Sequence, residues 1–306
     1  RVPKITMMLA DAVAKSKTGK YRNFSMTEEE RYELYIAAWL HDCGKVATPP
    51  HIVDKSTKLE TIFDRIELIR TRMEILKKDA EINFLRSKLN KSVDLTFDDQ
   101  YEKTIKKIDS DMKFLEKCNV GGEFMDPDLQ SRVLSIGKQK ISLYGREQNF
   151  LSHNEIKNFN ISKGTLLPDE RDIINDHISI TIEMLEQLPY PKHLKNVPEF
   201  AGGHHEKMDG TGYPKGLTSA EMSTQAKIMA IADIYEALTA ADRPYKDGKS
   251  LSTAMRIMGF MKNDYHIDEN LFEIFVKSGV YKKYANQYVA KSQIDEFDEK
   301  LIFDKK

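Results

Sequence analysis

The chain has 306 residues and a net charge of −1, with 40% hydrophobic and 31% charged residues. That is room for one large or two smaller soluble domains with a sizeable core. The near-neutral balance argues against a binder of nucleic-acid polymers, which would carry a basic excess; two cysteines, Cys43 and Cys118, imply no disulfide framework and fit a reducing, cytoplasmic setting.

No apolar run approaches the roughly 20 residues of a membrane span. The chain begins at Arg1 rather than at a methionine, as a piece of a longer protein would. Ile5, Met8, Leu9, Ala12 and Val13 line one face and predict an amphipathic helix within 1–20, not a signal peptide. Thr27 and Glu30 have the spacing of a capping box. They open a second helix that runs through Tyr32, Tyr35, Ile36 and Trp39 to His41-Asp42, with Gly44 just past its end.

From Thr57 to about Cys118 the composition shifts to Lys, Glu and Asp. Leu59, Ile62, Ile66, Ile69, Met73 and Leu76 recur at three- and four-residue steps, and after a polar break at 90–94 so do Tyr101, Ile105, Ile108, Met112 and Leu115. The pattern predicts an antiparallel helical hairpin with a coiled-coil seam. Structural packing is its plain reading, and a dimerisation or partner-docking arm the sharper one. Gly121 to Lys163 is loop-rich, with Val133–Ile136 and Ile141–Leu143 expected to pair across Gly137 as a small β-hairpin.

Pro168 stands at a first helical position, with Asp169 and Glu170 in the first turn. That helix is expected to carry Ile174, His177, Ile178, Thr181, Leu185 and Leu188. Pro189, Pro191 and Pro198 punctuate the next stretch; a further helix is expected from Ser223 to Ala240, and 250–290 again reads as helical.

Chemistry concentrates in His41-Asp42 at a helix end, His177 in a helix, the pair His204-His205 and Asp233 in a late helix. Imidazole and carboxylate without thiolate suit octahedral Mn or Fe better than structural zinc. Adjacent His and Asp can place imidazole on one metal while the carboxylate bridges to a second. Two ions roughly 3.5–4 Å apart activate a water and clamp a phosphodiester. Taken singly each piece has a bland alternative: a hydrogen-bonded core histidine, a chance His-His loop, a capped or salt-bridged aspartate. Asp233 lies between Ile231-Ala232 and Ile234-Tyr235, where an uncompensated carboxylate would be costly.

After the histidine pair runs H-H-E-K-M-D-G-T-G-Y-P-K-G-L. Gly210, Gly212 and Gly216 permit close backbone approach, Pro214 stiffens the turn, and Tyr213 offers a ring and a hydroxyl to a base or ribose. The bland reading is a glycine-rich turn around a packed aromatic. Lys45, Arg243 and Lys246 could neutralise phosphate, and are otherwise surface cations.

In this order, A-A-W-L-H-D-C-G-K (37–45), D-E-R-D-I-I-N-D-H (169–177), G-G-H-H-E-K-M-D-G-T-G-Y-P-K-G-L (202–217) and A-I-A-D-I-Y-E-A-L-T-A-A-D-R-P-Y-K (230–246) resemble the HD-GYP family, a branch of the HD metal-dependent phosphohydrolases. The resemblance covers about 1–54 and 165–290. It implies an all-α, HD-type helical bundle as a discontinuous catalytic domain over those two stretches, an insertion at 55–164 holding the hairpin and the loop-rich segment, and a tail at 291–306.

The resemblance further implies two divalent ions, iron or manganese, with a third left open, and hydrolysis of cyclic di-GMP to pGpG or GMP. His41, Asp42, His177, His204, His205 and Asp233 would be metal ligands, with Asp42 bridging; Asp42 and Lys45 would carry catalysis. Lys45, Gly212, Tyr213, Pro214, Arg243 and Lys246 would face substrate. Expected partners are cyclic di-GMP, a second copy of the chain, a diguanylate cyclase (GGDEF) domain and an upstream sensory part that could be membrane-anchored in the intact protein. The family's usual upstream Glu and His would fall just before Arg1, which would leave one metal short of a ligand. Two other readings stand beside the enzyme: a non-catalytic cyclic di-GMP sensor, and an HD phosphohydrolase of another nucleotide.

Overall fold

The computed structural model describes residues 1–90, 96–122, 124–241 and 248–300. In chain order the helices are α1 (Val2–Lys15), α2 (Glu28–Leu40), α3 (Pro50–Val53), α4 (Ile66–Asn90), α5 (Thr96–Asn119), α6 (Pro127–Gly137), α7 (His153–Phe159), α8 (Pro168–Asn175), α9 (His177–Glu186), α10 (Val197–Gly202), α11 (Thr224–Thr239), α12 (Leu251–Asn263), α13 (Glu269–Lys277) and α14 (Val280–Tyr288). Strands β1 (Lys140–Leu143) and β2 (Arg146–Asn149) form one antiparallel pair, with Lys140 opposite Asn149 and Leu143 opposite Arg146. Among the described residues the fold is all-α apart from this pair, as the sequence predicts. No described helix is long and apolar enough to cross a membrane. The chain divides into two compact units, Arg1–Thr48 with Ile173–Lys306, and Pro49–Asp172.

In the first unit α1 lies against α2, α11, α13 and α14. Its expected face is buried at Ile5, Leu9 and Val13. Helix α2 opens with the expected capping box: the Thr27 hydroxyl accepts from Glu30 N–H, and the Glu30 carboxylate accepts from Thr27 N–H at 2.7 Å. Its buried side is Leu34, Ala37 and Ala38. Helix α11, capped by Ser223, is buried through Ile228, Met229, Ile231, Ala232 and Tyr235. It runs through the core on most of its faces, so any polar group on it needs a partner.

In the second unit α4 and α5 form the expected hairpin, with Ile66, Ile69, Met73, Ile108 and Leu115 buried in one cluster with α6 and α7 residues. Of the polar break that the sequence places at 90–94, residues 91–94 lie outside those described. Two features depart from the sequence reading. Ile62, which the periodicity assigns to the seam, is 96% exposed, because α4 begins only at Ile66. Val133–Ile136 is not a strand. Asp126 caps the N–H groups of Asp128 and Leu129, and Pro127 takes the first helical position, so the run belongs to α6. Ile141–Leu143 pairs instead with β2, through a turn in which Tyr144 and Gly145 both have positive φ.

Buried charge holds the second unit together. Arg72 donates to both carboxylate oxygens of Glu155, at 2.9 and 2.5 Å, and to the Phe150 carbonyl. Burial raises the Glu155 pKa, but Arg72 and the Ser152 N–H outweigh it, so the carboxyl is held below its ordinary range. A depressed carboxyl pKa contributes stability above the unfolded value, roughly 4.3, that is lost as pH falls through the folded value. Removing one partner of a buried pair costs about 3–5 kcal/mol. Glu155→Gln should therefore lower the urea midpoint at pH 7 and flatten its decline below about pH 4.3. Parallel pH profiles for variant and wild type would show that this carboxylate is not the group titrating.

Candidate metal centre

Every expected cluster residue in the first unit sits at an element end or on the buried helix. His41 is the C-cap residue of α2, still helical at φ −53°, ψ −31°, and Asp42 follows at φ −111°, ψ 13° before the tight turn Cys43–Ala47. His177 opens α9. The single helix expected from Pro168 onward is instead two, interrupted at Asp176, where the His177 ring takes the Ile174 carbonyl as its Nδ1 partner. His204 and His205 follow α10, and Asp233 lies on α11.

These six residues converge. The ligand atoms of Asp42, His177, His204 and His205 lie within 4.8 Å of one another, as do those of His41, Asp42 and Asp233. Asp42 belongs to both groups. Its Oδ1 is 3.1 Å from His177 Nε2, and its Oδ2 is 3.3 Å from His41 Nε2; Asp233 Oδ1 stands 3.5 Å from the same His41 nitrogen. Ring centroids of His204 and His205 are 4.3 Å apart, and those of His41 and His204 4.9 Å.

Hydrogen bonds fix which nitrogens face inward. His41 Nδ1 is 2.8 Å from the Ala38 carbonyl and His204 Nδ1 is 2.6 Å from the Ala201 carbonyl; His177 makes the same bond to Ile174. A carbonyl can only accept, so Nδ1 carries the hydrogen and Nε2 can offer a lone pair to the cluster. Nε2 of His41 and of His204 is buried with no hydrogen-bond partner among the described residues. Buried polar atoms left this way call for an explanation. A divalent cation supplies one, since it engages lone pairs that no protein donor reaches.

The electrostatics agree. Burial lowers His41's proton affinity, but Asp233 and Asp42 outweigh it and push the pKa up to about 10. Burial, opposed by Asp233, pushes His204 down to about 4, and burial together with His204 pushes His205 down to about 3. Burial would raise Asp42, yet His177, His41 and Lys45 hold it far below the carboxylate range; His41 and His204 likewise outweigh burial and lower Asp233. At pH 7 two ionised carboxylates therefore face the neutral His204 and His205 and a charged His41, whose proton a cation would displace. Such a set of nitrogen and oxygen donors fits a divalent cation.

Around the cluster, Lys45 Nζ donates to Asp42 Oδ2 at 2.6 Å. The Tyr213 ring stacks on His205, with centroids 4.9 Å apart and planes at 13°. Gly212 lies where a Cβ would come within 2.3 Å of Lys207 N and 2.5 Å of Glu206 Cα, so only glycine fits; Pro214 follows Tyr213 on the exposed side of the loop. Arg243 and Lys246 lie outside the described residues. Sequence reasoning missed two supports. The buried Glu206 carboxylate accepts from Lys215 and Leu217 N–H at 2.8 and 2.9 Å, pinning the glycine-rich loop; its signal was the Glu directly after His-His. Gly44 N–H donates to Thr181 Oγ1 at 2.9 Å, locking the turn after Asp42 against α9.

A model of the HD domain family matches residues 154–271, a stretch that holds His177, His204, His205, Gly212–Pro214 and Asp233 but not His41-Asp42. The chain is 40% identical over 96 residues to a 3'3'-cGAMP-specific phosphodiesterase of Vibrio cholerae, covering 31% of this chain and 22% of that protein. It is 44% identical over 79 residues to the cyclic di-GMP phosphodiesterase PA4108 of Pseudomonas aeruginosa, covering 26% and 18%. It is 34% identical over 117 residues to a cyclic di-GMP phosphodiesterase of Thermotoga maritima, covering 38% and 31%. The chain thus spans less than a third of the length of these relatives. Residues 154–271 thus match the HD domain family, and the helical architecture and converged His/Asp cluster are what the resemblance to HD-type phosphohydrolases implies.

Proposed function

We propose that this chain is a metal-dependent phosphodiesterase that hydrolyses cyclic di-GMP to pGpG or on to GMP. The observation that carries the reading is Asp42, the one residue common to both groups of candidate ligands. In this reading His177, His204 and His205 would hold one divalent ion and His41 and Asp233 a second, with Asp42 available to either. The nitrogen and oxygen donor set favours Fe or Mn. When bound, such ions lower the pKa of a water and polarise a phosphodiester. The chain's own residues do the rest. The backbone carbonyls of Ala38, Ile174 and Ala201 orient the three imidazoles. Lys45, now paired with Asp42, offers its ammonium to the substrate phosphate, and the loop at Gly212-Tyr213-Pro214 walls the site.

Relatives named for cyclic di-GMP and for 3'3'-cGAMP both support a cyclic dinucleotide and favour a second reading, in which the hybrid dinucleotide is the better substrate. A dimer, a GGDEF partner, an upstream sensory part and a cytoplasmic location belong to this proposal on the resemblance alone.

The test loads the chain anaerobically with Fe(II) or Mn(II), counts the metal, and follows both dinucleotides by chromatography. Release of pGpG or GMP is expected. A fully metallated protein that binds cyclic di-GMP and never cleaves it would replace the enzyme reading with the sensor one; faster cleavage of 3'3'-cGAMP would select the hybrid substrate.

A further inference from the structure

Trp39 is the chain's one tryptophan, on the last turn of α2, and it is 60% exposed. Tryptophan is highly buried on average, so an indole left in solvent is unusual. Its ring is positioned by Tyr35, one turn back, edge-on at a centroid distance of 6.3 Å and an interplanar angle of 80°.

The helix places Trp39 within one turn of Asp42. His41 is still helical, so Trp39 and Asp42, three residues apart, lie about 60° apart around the axis. Their Cβ atoms are then about 5–6 Å apart. Leu34, Ala37 and Ala38 take the buried side of α2, which leaves Asp42 between the core and the face that bears Trp39.

The cluster opens on that same side. The Asp42 side chain is 29% exposed, against 10% for His41 and 3% for His177, and Lys45 stands over it in solvent. A nucleotide whose phosphate meets Lys45 beside Asp42 carries its base one ribose away, a span of the same order as the separation of side chains three residues apart on a helix. Tyr213, the aromatic singled out in the glycine-rich loop, is a poorer platform because His205 already covers one face of its ring.

We propose, resting on the reading of the cluster as a phosphodiester site, that Trp39 is the stacking platform for one purine base of the substrate. Stacking of a base on an aromatic side chain is tolerant of orientation and removes apolar ring area from water on both partners. Purines, with the larger ring system, gain most. Trp39 would thus set base preference while the metal cluster and Lys45 handle the phosphate.

The single tryptophan makes the test direct. In Mn(II)-loaded protein, GMP and cyclic di-GMP should quench the intrinsic fluorescence saturably, and ribose 5-phosphate should not. By calorimetry, Trp39→Ala should weaken GMP about 10-fold or more and leave ribose 5-phosphate unchanged, while Trp39→Phe should lose about 2- to 3-fold. Because the side chain is exposed, both variants should keep the wild-type metal content and melting temperature. Equal GMP affinity in wild type and Trp39→Ala would overturn the platform and leave the phosphodiesterase reading standing. If none of the three ligands binds the metal-loaded wild type, the phosphodiester site itself is refuted, and the platform with it.

Discussion

Asp42→Ala is expected to abolish metal-dependent turnover, with a fall on the order of 10³-fold, comparable to losing a principal electrostatic element of a hydrolytic site. The expectation comes from position. Asp42 alone belongs to both groups of converged ligand atoms, so its loss removes a donor from each. Asp42→Asn should fail almost as badly. It keeps the shape and one neutral oxygen but not the charge that His177, His41 and Lys45 hold in the ionised form. Metal analysis should show both variants under-loaded. A metal that binds only the folded chain stabilises it by about 2.7 kcal/mol at 100 times its dissociation constant. The wild type should therefore melt at a higher temperature on adding Mn(II), and the variants should not respond. Full metal content with full turnover in Asp42→Ala would remove Asp42 from the centre and, with it, the two-ion reading.

Much of this molecule is legible in its sequence. The capping box at Thr27 and Glu30, the face of α1 and the α4–α5 hairpin are all local: they repeat at the helical period or involve residues within a turn of each other. The cluster is legible for another reason. Histidine is scarce in the sequence, eight in all, and four of the eight fall at helix ends and beside a glycine-rich loop. What fails is what periodicity does not encode. Four apolar residues at 133–136 fit a buried strand or one helical turn equally well, and the Asp126-Pro127 start decides for the helix. The true hairpin turn, Tyr144-Gly145, bears a residue seldom placed at positive φ. The break at Asp176 follows a side chain taking a backbone carbonyl, which no hydrophobic pattern records. Glu206 and Gly44 act through loop and tertiary contacts, and a sequence shows only that a Glu and a Gly are there.

Gly44→Ala shows how far such a contact reaches. A Cβ at this position would lie 2.1 Å from the His177 carbonyl oxygen, 2.6 Å from Thr181 N and 2.7 Å from Thr181 Oγ1. Two of the three are backbone atoms of α9, so no rotamer change relieves the clash. The turn Cys43–Ala47 must retreat from α9 by about 1 Å or more to reach ordinary contact. Retreat breaks the 2.9 Å bond from Gly44 N–H to Thr181 Oγ1 and draws Asp42, two residues earlier, away from His177. A misplacement of about 1 Å can cost 10²-fold in rate, and overpacking of this kind costs about 1–3 kcal/mol. The variant should therefore be less stable, bind metal poorly and lose about 10²-fold in turnover while every ligand residue is still present. Gly259→Ala is the matched control. It lies inside α12, its Cβ would meet nothing within 4 Å, and alanine there should be neutral or stabilising by about 0.5–1 kcal/mol. Measured side by side, melting temperature and metal content separate the two glycines. If Gly44→Ala behaves like Gly259→Ala, something other than the seat of the turn on α9 holds Asp42 against His177.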